Sequence, residues 1–426
     1  MLAGLRLNRF TAAYDDEARF LMLAESLRFQ GRYDLFDGSE RFFPPGTSAL
    51  FAVVMLLTGT GRPLHTAILP VKAAVLLLYL PALALLYGLL AGQAPQWVAL
   101  ATVAATAVNP LLTALAVEPM SDVPFVAASI LSLWLLQRAT AGASRGLALP
   151  LVAGLAAGLA WSFRLPGGVL VALGAIGFLF WRGSAGAISG RRRVAQAAVF
   201  VLAALLCLAP WWLYNRFDPV QRVEIPEIGS SHLEMLTAVD LYSPQAARAT
   251  LSDIGGRIIL NGHRYGLGLS LFLFGQPWRR LPLPGLVSWF GELDGLFSLI
   301  LAGLIGLGLW EGWRRRGWLL LLYTAATQAV LGLWLYYQQR YILPLLPFYA
   351  FYLFLGLDWL YRRAATAAPR LSRAGLGLFL AGILAFPAAA NLSTGLHLAS
   401  LRRAPDIVAY YRGQSEQWAN YFAAAR

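Results

Sequence analysis

The chain is 426 residues long, and 58% of its residues are hydrophobic while only 13% are charged. Soluble globular domains carry about 25% charged residues, so this chain has roughly half the charge that a water-facing surface needs. The formal net charge is +13, but the arginines stand in short runs between long apolar blocks, which argues against a nucleic-acid-binding surface. The single cysteine, Cys207, excludes an intramolecular disulfide and a cysteine-based metal cluster. The sequence therefore predicts an all-α polytopic membrane protein that binds no nucleic acid.

Ten apolar blocks along the chain have about the length that crosses a bilayer. A hydrocarbon core about 30 Å thick needs roughly 20 residues of helix. The blocks are 66–90, 97–117, 122–137, 147–163, 166–181, 194–214, 288–310, 317–337, 341–361 and 374–393. We therefore expect about ten transmembrane helices. A shorter apolar stretch, 47–60, is predicted to form a helix at the membrane interface.

Arginines mark every second connection between these blocks. Because loops rich in Lys and Arg stay in the cytoplasm, one alternating topology places all of these arginines on that side. They are Arg138, Arg145, Arg182, Arg191, Arg192, Arg193, Arg314, Arg315, Arg316, Arg362, Arg363, Arg370 and Arg373. The chain then divides into a first extracytoplasmic loop (1–65), transmembrane helices (66–214), a large extracytoplasmic loop (215–287), transmembrane helices (288–393) and a short extracytoplasmic tail (394–426). The apolar residues before Arg6 are similar to the last turn of a helix, so we expect an eleventh, first helix to be missing.

The first extracytoplasmic loop contains three adjacent acids, Asp15, Asp16 and Glu17. Repulsion among them favours a proton on one carboxylate, and an acid in that position suits a general base. The alternative is that they begin a helix, since the helix dipole favours acids at its N-terminus. Both interpretations can hold together, because an acid stabilised by the dipole can still accept a proton.

The acids are followed, about 25 residues later, by Phe43-Pro44-Pro45-Gly46 and the apolar stretch 47–60. This arrangement resembles the GT-C superfamily of membrane glycosyltransferases. Within it, the chain is similar to the family 39-like bacterial enzymes related to protein O-mannosyltransferases and the lipid A aminoarabinose transferase. The resemblance covers about residues 10–360 and departs from the family in the absent first helix and the short tail. Its further features are Met120-Ser121-Asp122-Val123-Pro124-Phe125, Arg164 and Arg340-Tyr341-Ile342-Leu343-Pro344-Leu345-Leu346-Pro347.

The resemblance implies an inverting glycosyltransferase of the plasma or inner membrane. Such an enzyme moves a sugar from a polyprenyl-phosphate donor to an acceptor hydroxyl on the extracytoplasmic face. The implied partners are that lipid donor, an acceptor that is a lipid, a glycan or a protein, and membrane lipids. Asp16 would take the proton of the acceptor hydroxyl, with Glu17 as its orienting neighbour and Asp15 as a competitor for the role. Since a phosphate leaves readily, one base and cations on the phosphate side suffice.

A lipid donor places its phosphate at membrane level, so cations at the outer ends of spans are candidates to bind it. Lys72 lies near such an end, where a lysine costs about 2.5–3.5 kcal/mol unless it is paired or hydrated; it is an interfacial anchor or a phosphate contact. Arg164 stands at the outer face, where the positive-inside rule gives no reason for it. Arg340, next to Tyr341, lies in a short outer connection, and its planar fork suits a phosphate. We expect Arg340 to bind the donor phosphate, with a plain interfacial anchor as the alternative.

Three other residues are candidates to bind substrate. Glu118 and Asp122 are four residues apart and share one face if helical, so they can pair with Arg164 or bind a cation; a polar turn with a helix cap is the alternative. His263, in the second loop, is a candidate to contact acceptor or sugar, against the interpretation as a surface histidine. Because no His or Cys spacing typical of metal ligands occurs, we expect no cofactor, with a divalent metal ion as the alternative.

Two other functions suit a multi-pass membrane protein. A transporter or flippase for a lipid-linked glycan should have acids near the midplane, broken helices and paired halves. A non-catalytic assembly protein needs none of these features. The polar groups of this chain gather toward one face, and this asymmetry favours one-sided chemistry by a glycosyltransferase.

Overall fold

A computed structural model describes residue 7 and residues 15–35, 38–39, 43–140, 146–180, 189–217, 236–238, 248–274, 284–335, 337–367 and 369–400. This part of the chain is almost entirely helical. Its one sheet is a pair of two-residue antiparallel strands, β1 (Asp34–Leu35) and β2 (Gly38–Ser39). The predicted all-α fold class is therefore confirmed.

Fifteen α-helices make up most of the described residues. In chain order they are α1 (Asp15–Gln30), α2 (Gly46–Thr58), α3 (Ile68–Leu90), α4 (Gln96–Ala107), α5 (Pro110–Leu115), α6 (Asp122–Thr140), α7 (Ala148–Phe163), α8 (Gly168–Phe180), α9 (Gly190–Phe217), α10 (Leu251–Leu267), α11 (Leu269–Phe274), α12 (Pro284–Arg314), α13 (Trp318–Leu333), α14 (Leu346–Ala367) and α15 (Pro369–Ser400). Short 3-10 helices at Leu64–Ala67, Leu165–Gly167 and Gln339–Ile342 join some of them.

Each of the ten predicted apolar blocks contains at least one helix. Five helical segments of the described part are long and apolar enough to cross a membrane: Leu64–Leu90, Asp122–Thr140, Gly190–Tyr214, Gly295–Arg314 and Ala374–Thr394. Shorter apolar helices accompany them, among them α4, α7 and α13. The chain is thus a multi-pass membrane protein, as its composition predicts.

The predicted block 97–117 differs from expectation because it is divided in two. Its first half ends as α4 at Ala107 and its second half begins as α5 at Pro110. Pro110 has no N–H to continue the first helix, and its fixed φ suits the first turn of a new one. The Asn109 side chain caps that new helix by accepting hydrogen bonds from the N–H groups of Leu111 and Leu112, at 3.1 and 3.0 Å.

Glycines bring the long helices into close contact. A Cβ on Gly154 of α7 would lie 2.2 Å from the carbonyl oxygen of Phe200 in α9, and one on Gly158 would lie 2.4 Å from that of Ala204. Only glycine fits at such distances, and small residues at helix interfaces are how membrane helices approach one another. These two glycines therefore serve helix packing.

The helix ends sort into two groups at opposite ends of the bundle. The ends of α12 and α14 that carry Arg314 and Arg362 lie at one end. The segment Gln339–Ile342 lies at the other, beyond the far end of α13. At 1.5 Å per residue, the 16 residues of α13 separate the two groups by about 24 Å.

Candidate active site

A cavity of about 110 Å³ lies at the bundle end where α6 begins and α7 ends. Segments far apart in the sequence meet around it. They are α1, the chain before α2, the start of α6, the end of α7, the end of α13 and the segment 340–344. Its lining residues are Asp16, Phe20, Phe43, Pro44, Ser121, Phe125, Phe163, Arg164, Leu165, Pro166, Thr327, Val330, Leu331, Trp334, Arg340, Tyr341 and Pro344. The lining is mostly apolar, with one acid and two arginines among its members.

Helix α1 presents Asp16 to the cavity. Asp16 is the second residue of the helix, where the dipole favours an acid. Phe20, one turn later, also faces the cavity and packs edge-on against Phe43, with ring centroids 5.5 Å apart. The three acids thus do begin a helix, and one of them also reaches the cavity.

Arg340 forms an ion pair with Asp16 across the cavity wall, its Nη2 donating to Asp16 Oδ2. The same guanidinium donates from Nε to Gln338 Oε1 at 2.7 Å and lies 3.8 Å from Met120 Sδ through Nη1. Burial lowers the pKa of Arg340, but the charges of Asp122 and Asp16 outweigh it and hold that pKa above its ordinary value. Arg340 is therefore a buried, permanently charged group in a fixed orientation.

Arg164 forms a second ion pair, with Asp122. Asp122 is the first residue of α6 and is fully buried, while Arg164 stands directly after α7 in extended conformation. An acid at a helix N-terminus and a cation at a helix C-terminus both complement the helix dipole. Asp122 Oδ2 is buried and has no hydrogen-bond partner among the described residues.

Tyr341 lies beside both arginines. The guanidinium carbon of Arg164 is 5.1 Å from the centroid of the Tyr341 ring, and that of Arg340 is 5.7 Å from it. Both distances are within the range of a cation–π contact. Two arginines, each paired with an acid, therefore lie against one aromatic ring, and the four charges sum to zero.

Lys72 and Glu118 form a third pair, with 2.8 Å between Nζ and Oε2. The Lys72 side chain is 1% exposed and that of Glu118 15%, and neither residue lines the cavity. Of the two acids predicted to pair with Arg164, Asp122 does so and Glu118 pairs with Lys72 instead. A fully buried lysine in an apolar helix requires such a partner, which gives this pair a structural reason to exist.

The remaining predicted residues lie off the cavity lining. Glu17 is buried on α1, and His263 is exposed on α10. Asp15 is the first residue of α1, and its side chain is outside the described part. Within the described part, no group of three or more His, Cys, Asp or Glu side chains is placed to hold a metal ion, and independence from metal stays a prediction.

Sequence reasoning missed the partners that hold these groups. Gln338, which accepts a hydrogen bond from Arg340 Nε, stands two residues before it. Asn261 and Tyr265 flank His263 in the sequence and are buried where His263 is exposed. The signal was their spacing of four residues on a helix, which places both on the face that packs inward.

Part of the chain matches a known protein family. The family model described as dolichyl-phosphate-mannose-protein mannosyltransferase matches residues 43–214. This region contains Pro44, the Asp122–Arg164 pair and the Lys72–Glu118 pair. No curated protein sequence gives a significant match to the chain.

Solved structures match the fold over nearly the whole chain. ArnT from Cupriavidus metallidurans in the apo state gives a TM-score of 0.55 at 17% identity, covering 98% of this chain and 73% of ArnT. ArnT bound to undecaprenyl phosphate gives 0.51 at 16% identity, covering 94% and 68%. The archaeal oligosaccharyltransferase AglB from Archaeoglobus fulgidus, in complex with an inhibitory peptide and a dolichol-phosphate, gives 0.53 at 13% identity, covering 98% and 56%. The chain thus spans a little over half the length of AglB.

The predicted resemblance to GT-C, family 39-like membrane glycosyltransferases is confirmed by these matches. The fold is shared over almost the full chain, and the sequence match covers residues 43–214.

Proposed function

We propose that this chain, with its GT-C fold, is an inverting glycosyltransferase of the cell membrane whose active site is the cavity between Asp16, Arg164 and Arg340. Its donor would be a sugar carried on a polyprenyl phosphate, and the cavity would face the extracytoplasmic side. The observation that carries the proposal is the Asp16–Arg340 ion pair on the cavity wall beside Arg164 and Tyr341. An acid and a pair of arginines in one cavity are the groups that the reaction needs.

The two arginines suit the phosphate of the donor. A guanidinium binds phosphate oxygens through two parallel N–H groups, and Arg340 and Arg164 approach the same cavity from different segments. Tyr341 lies against both and restricts where their planes can turn. The cleaved donor is a phosphate monoester with more negative charge than the intact diester, so fixed cations stabilise the transition state more than the bound donor.

Asp16 suits the acceptor side of the reaction. Its carboxylate takes the proton of the acceptor hydroxyl as the hydroxyl oxygen attacks the anomeric carbon of the sugar. The new bond forms to that oxygen, the bond from the anomeric carbon to the phosphate oxygen breaks, and its electron pair leaves with the polyprenyl phosphate. The attack comes from the face opposite the phosphate, so the anomeric configuration inverts.

The Asp16–Arg340 ion pair sets the order of donor binding and proton transfer. Asp16 and a donor phosphate compete for one guanidinium, so donor binding displaces the carboxylate and makes it available as a base. The acceptor proton is therefore taken after the phosphate is in place.

The test is a transfer assay with purified protein and a panel of radiolabelled polyprenyl-phosphate sugars. Membranes of the source cell, stripped of their own transferase activity by heat, supply the acceptors. The proposal expects label to pass from at least one donor into a lipid, glycan or protein fraction, and Asp16→Asn to stop that passage. Label that crosses the membrane of proteoliposomes and stays on its carrier would instead indicate a flippase.

A further inference from the structure

Helix α10, in the segment between α9 and α12, carries a stripe of polar side chains with a spacing of four. Arg257, Asn261 and Tyr265 lie on one face of the helix, because residues i, i+4 and i+8 are stacked along it. Asn261 and Tyr265 are 2% exposed, whereas Ile259 on another face is 75% exposed. The stripe therefore packs inward, and its polar atoms need partners there.

These partners are backbone carbonyls at the end of α13. The Asn261 amide nitrogen donates to the carbonyls of Leu331, Gly332 and Trp334 at 3.3, 3.1 and 2.8 Å. Arg257 Nη1 lies 3.3 Å from the carbonyl oxygen of Leu333. The last turn of a helix leaves its carbonyls without intrahelical partners, so α10 supplies the donors that α13 lacks.

The last residue of the stripe, Tyr265, contacts the segment that carries Arg340. The Tyr265 hydroxyl donates to the backbone carbonyl of Gln338 at 3.3 Å, and its ring packs against that of Tyr337 with centroids 4.9 Å apart. The Gln338 side chain in turn accepts the hydrogen bond from Arg340 Nε at 2.7 Å. Burial raises the pKa of the Tyr265 phenol, which keeps its proton available as the donor.

We propose that Asn261, Tyr265 and Gln338 are positioning residues that hold Arg340 in the orientation needed to bind a phosphate group. Asn261 anchors Trp334, Tyr265 anchors Gln338, and Gln338 fixes the guanidinium about its Nε. The other two nitrogens contact the cavity end as well, Nη2 through Asp16 Oδ2 and Nη1 through Met120 Sδ. This inference rests on the proposed function and adds to it a role for α10, which contributes no residue to the cavity lining.

The experiment measures binding of undecaprenyl phosphate and of undecaprenol to the full chain in detergent. The two lipids differ only in the phosphate, so the ratio of their affinities reports on Arg340 and cancels any general loss of lipid binding. The variants are Tyr265→Phe, Asn261→Asp and Gln338→Met, which keep side-chain size while removing the hydrogen bond. Arg340→Ala sets the full loss, and Ile259→Ala is the matched control on α10.

We expect the wild-type preference for the phosphate to fall about fivefold in Tyr265→Phe and about tenfold in Asn261→Asp and Gln338→Met, with undecaprenol binding unchanged. Ile259→Ala should keep the wild-type ratio. In the Arg340→Ala background, Tyr265→Phe should cause no further fall, because both changes act on one interaction.

Three results would overturn the inference. If Arg340→Ala loses the preference while all three positioning variants keep it, Arg340 is oriented without α10, and the proposed function stands. Equal loss of undecaprenol and undecaprenyl phosphate binding would reduce α10 to a structural role. A wild-type chain with no preference for the phosphate would remove the donor site itself, and the inference with it.

Discussion

The two ends of the helix bundle use the same kinds of charged residue in different ways. At the cavity end, three ion pairs join Asp16 to Arg340, Asp122 to Arg164, and Glu118 to Lys72. At the other end, Glu311 and Asp358 share two arginines. Glu311 Oε1 is 3.0 Å from Arg315 Nε and 2.8 Å from Arg362 Nη2, and Asp358 Oδ2 is 3.4 Å from Arg315 Nη2 and 3.0 Å from Arg362 Nε.

The shared arrangement closes a ring between α12 and α14. Asp358 accepts a further hydrogen bond from Trp97 Nε1 at 3.2 Å, which ties α4 to the same ring. Each carboxylate there has several donors, so the ring is complete without a ligand. An ion pair on the wall of a cavity, such as Asp16–Arg340, can exchange its acid for a phosphate. The position beside a cavity, more than the residue types, separates a candidate active site from a structural cluster.

Loss of the cavity acid should have the largest effect. Asp16→Asn is expected to lower sugar transfer by a factor of about 10² to 10⁴, since that is what a general base contributes. Transfer in membranes containing equal amounts of each protein measures this, and Glu311→Gln at the other end is the control that keeps its activity. Transfer by Asp16→Asn at the wild-type rate would remove Asp16 from the mechanism.

Arg340 should affect the donor more than the acceptor. Arg340→Ala is expected to weaken binding of undecaprenyl phosphate about 10- to 100-fold, because a charge-assisted pair of hydrogen bonds is lost. Arg340→Lys keeps the charge without the planar fork, so its affinity for the lipid should lie between those of the wild type and Arg340→Ala. Titration of the lipid into each purified variant gives the comparison, and equal affinity in all three proteins would make Arg340 an interfacial anchor.

At the ring end, the expected effect is on stability. Glu311→Gln removes one of the two carboxylates that Arg315 and Arg362 share, leaving them Asp358, and should lower the free energy of unfolding by about 1–3 kcal/mol. The lower part of that range applies because the two arginines are 28% and 50% exposed. Thermal unfolding in detergent measures the loss, and a change in transfer rate with stability unaltered would contradict the separation of the two ends.

Substitution of Lys72 tests whether the Lys72–Glu118 pair takes part in binding the donor phosphate. Because Lys72 pairs with Glu118 away from the cavity lining, Lys72→Met should change binding of undecaprenyl phosphate by less than about threefold. The variant should be less stable, and Lys72→Met with Glu118→Gln should regain part of that stability by removing the buried lone charge. A tenfold loss of lipid affinity in Lys72→Met would instead make Lys72 a phosphate contact.

Metal removal should have the smallest effect. The step written for Asp16 and the two arginines uses no metal ion, so transfer should survive exhaustive treatment with EDTA. If EDTA abolished transfer, and added Zn²⁺ or Mg²⁺ restored it while buffer exchange and added lipid did not, the reaction would require a metal ion.

Much of the fold follows from the sequence because membrane spans are long and uniform. Ten apolar blocks predict the helices, and the alternation of arginines places Asp16, Arg164 and Arg340 on one side and Arg314 and Arg362 on the other. The structure brings each group together accordingly. Periodicity is a local signal, however, and the break at Asn109 depends on a single Asn-Pro step inside an otherwise apolar block.

Which acid pairs with which cation could not be predicted from the sequence as fully as the positions of the helices. Glu118 and Asp122 are both near Arg164 in topology, and only packing decides that Asp122 reaches it. Glu311 and Asp358 lie at the margins of apolar blocks, where the arginine runs beside them dominate the pattern. His263 drew attention because histidines are rare in this chain, whereas Asn261 and Tyr265 stand on the buried face of the same helix.

The central claim is that Asp16 and the donor phosphate compete for Arg340, and binding of undecaprenyl phosphate to Asp16→Asn tests it most directly. Removing the carboxylate charge removes the group that competes with the phosphate for the guanidinium, so we expect Asp16→Asn to bind this lipid about three- to tenfold more tightly than the wild type. Undecaprenol should bind both proteins equally. Unchanged or weaker binding of undecaprenyl phosphate by Asp16→Asn would contradict the account.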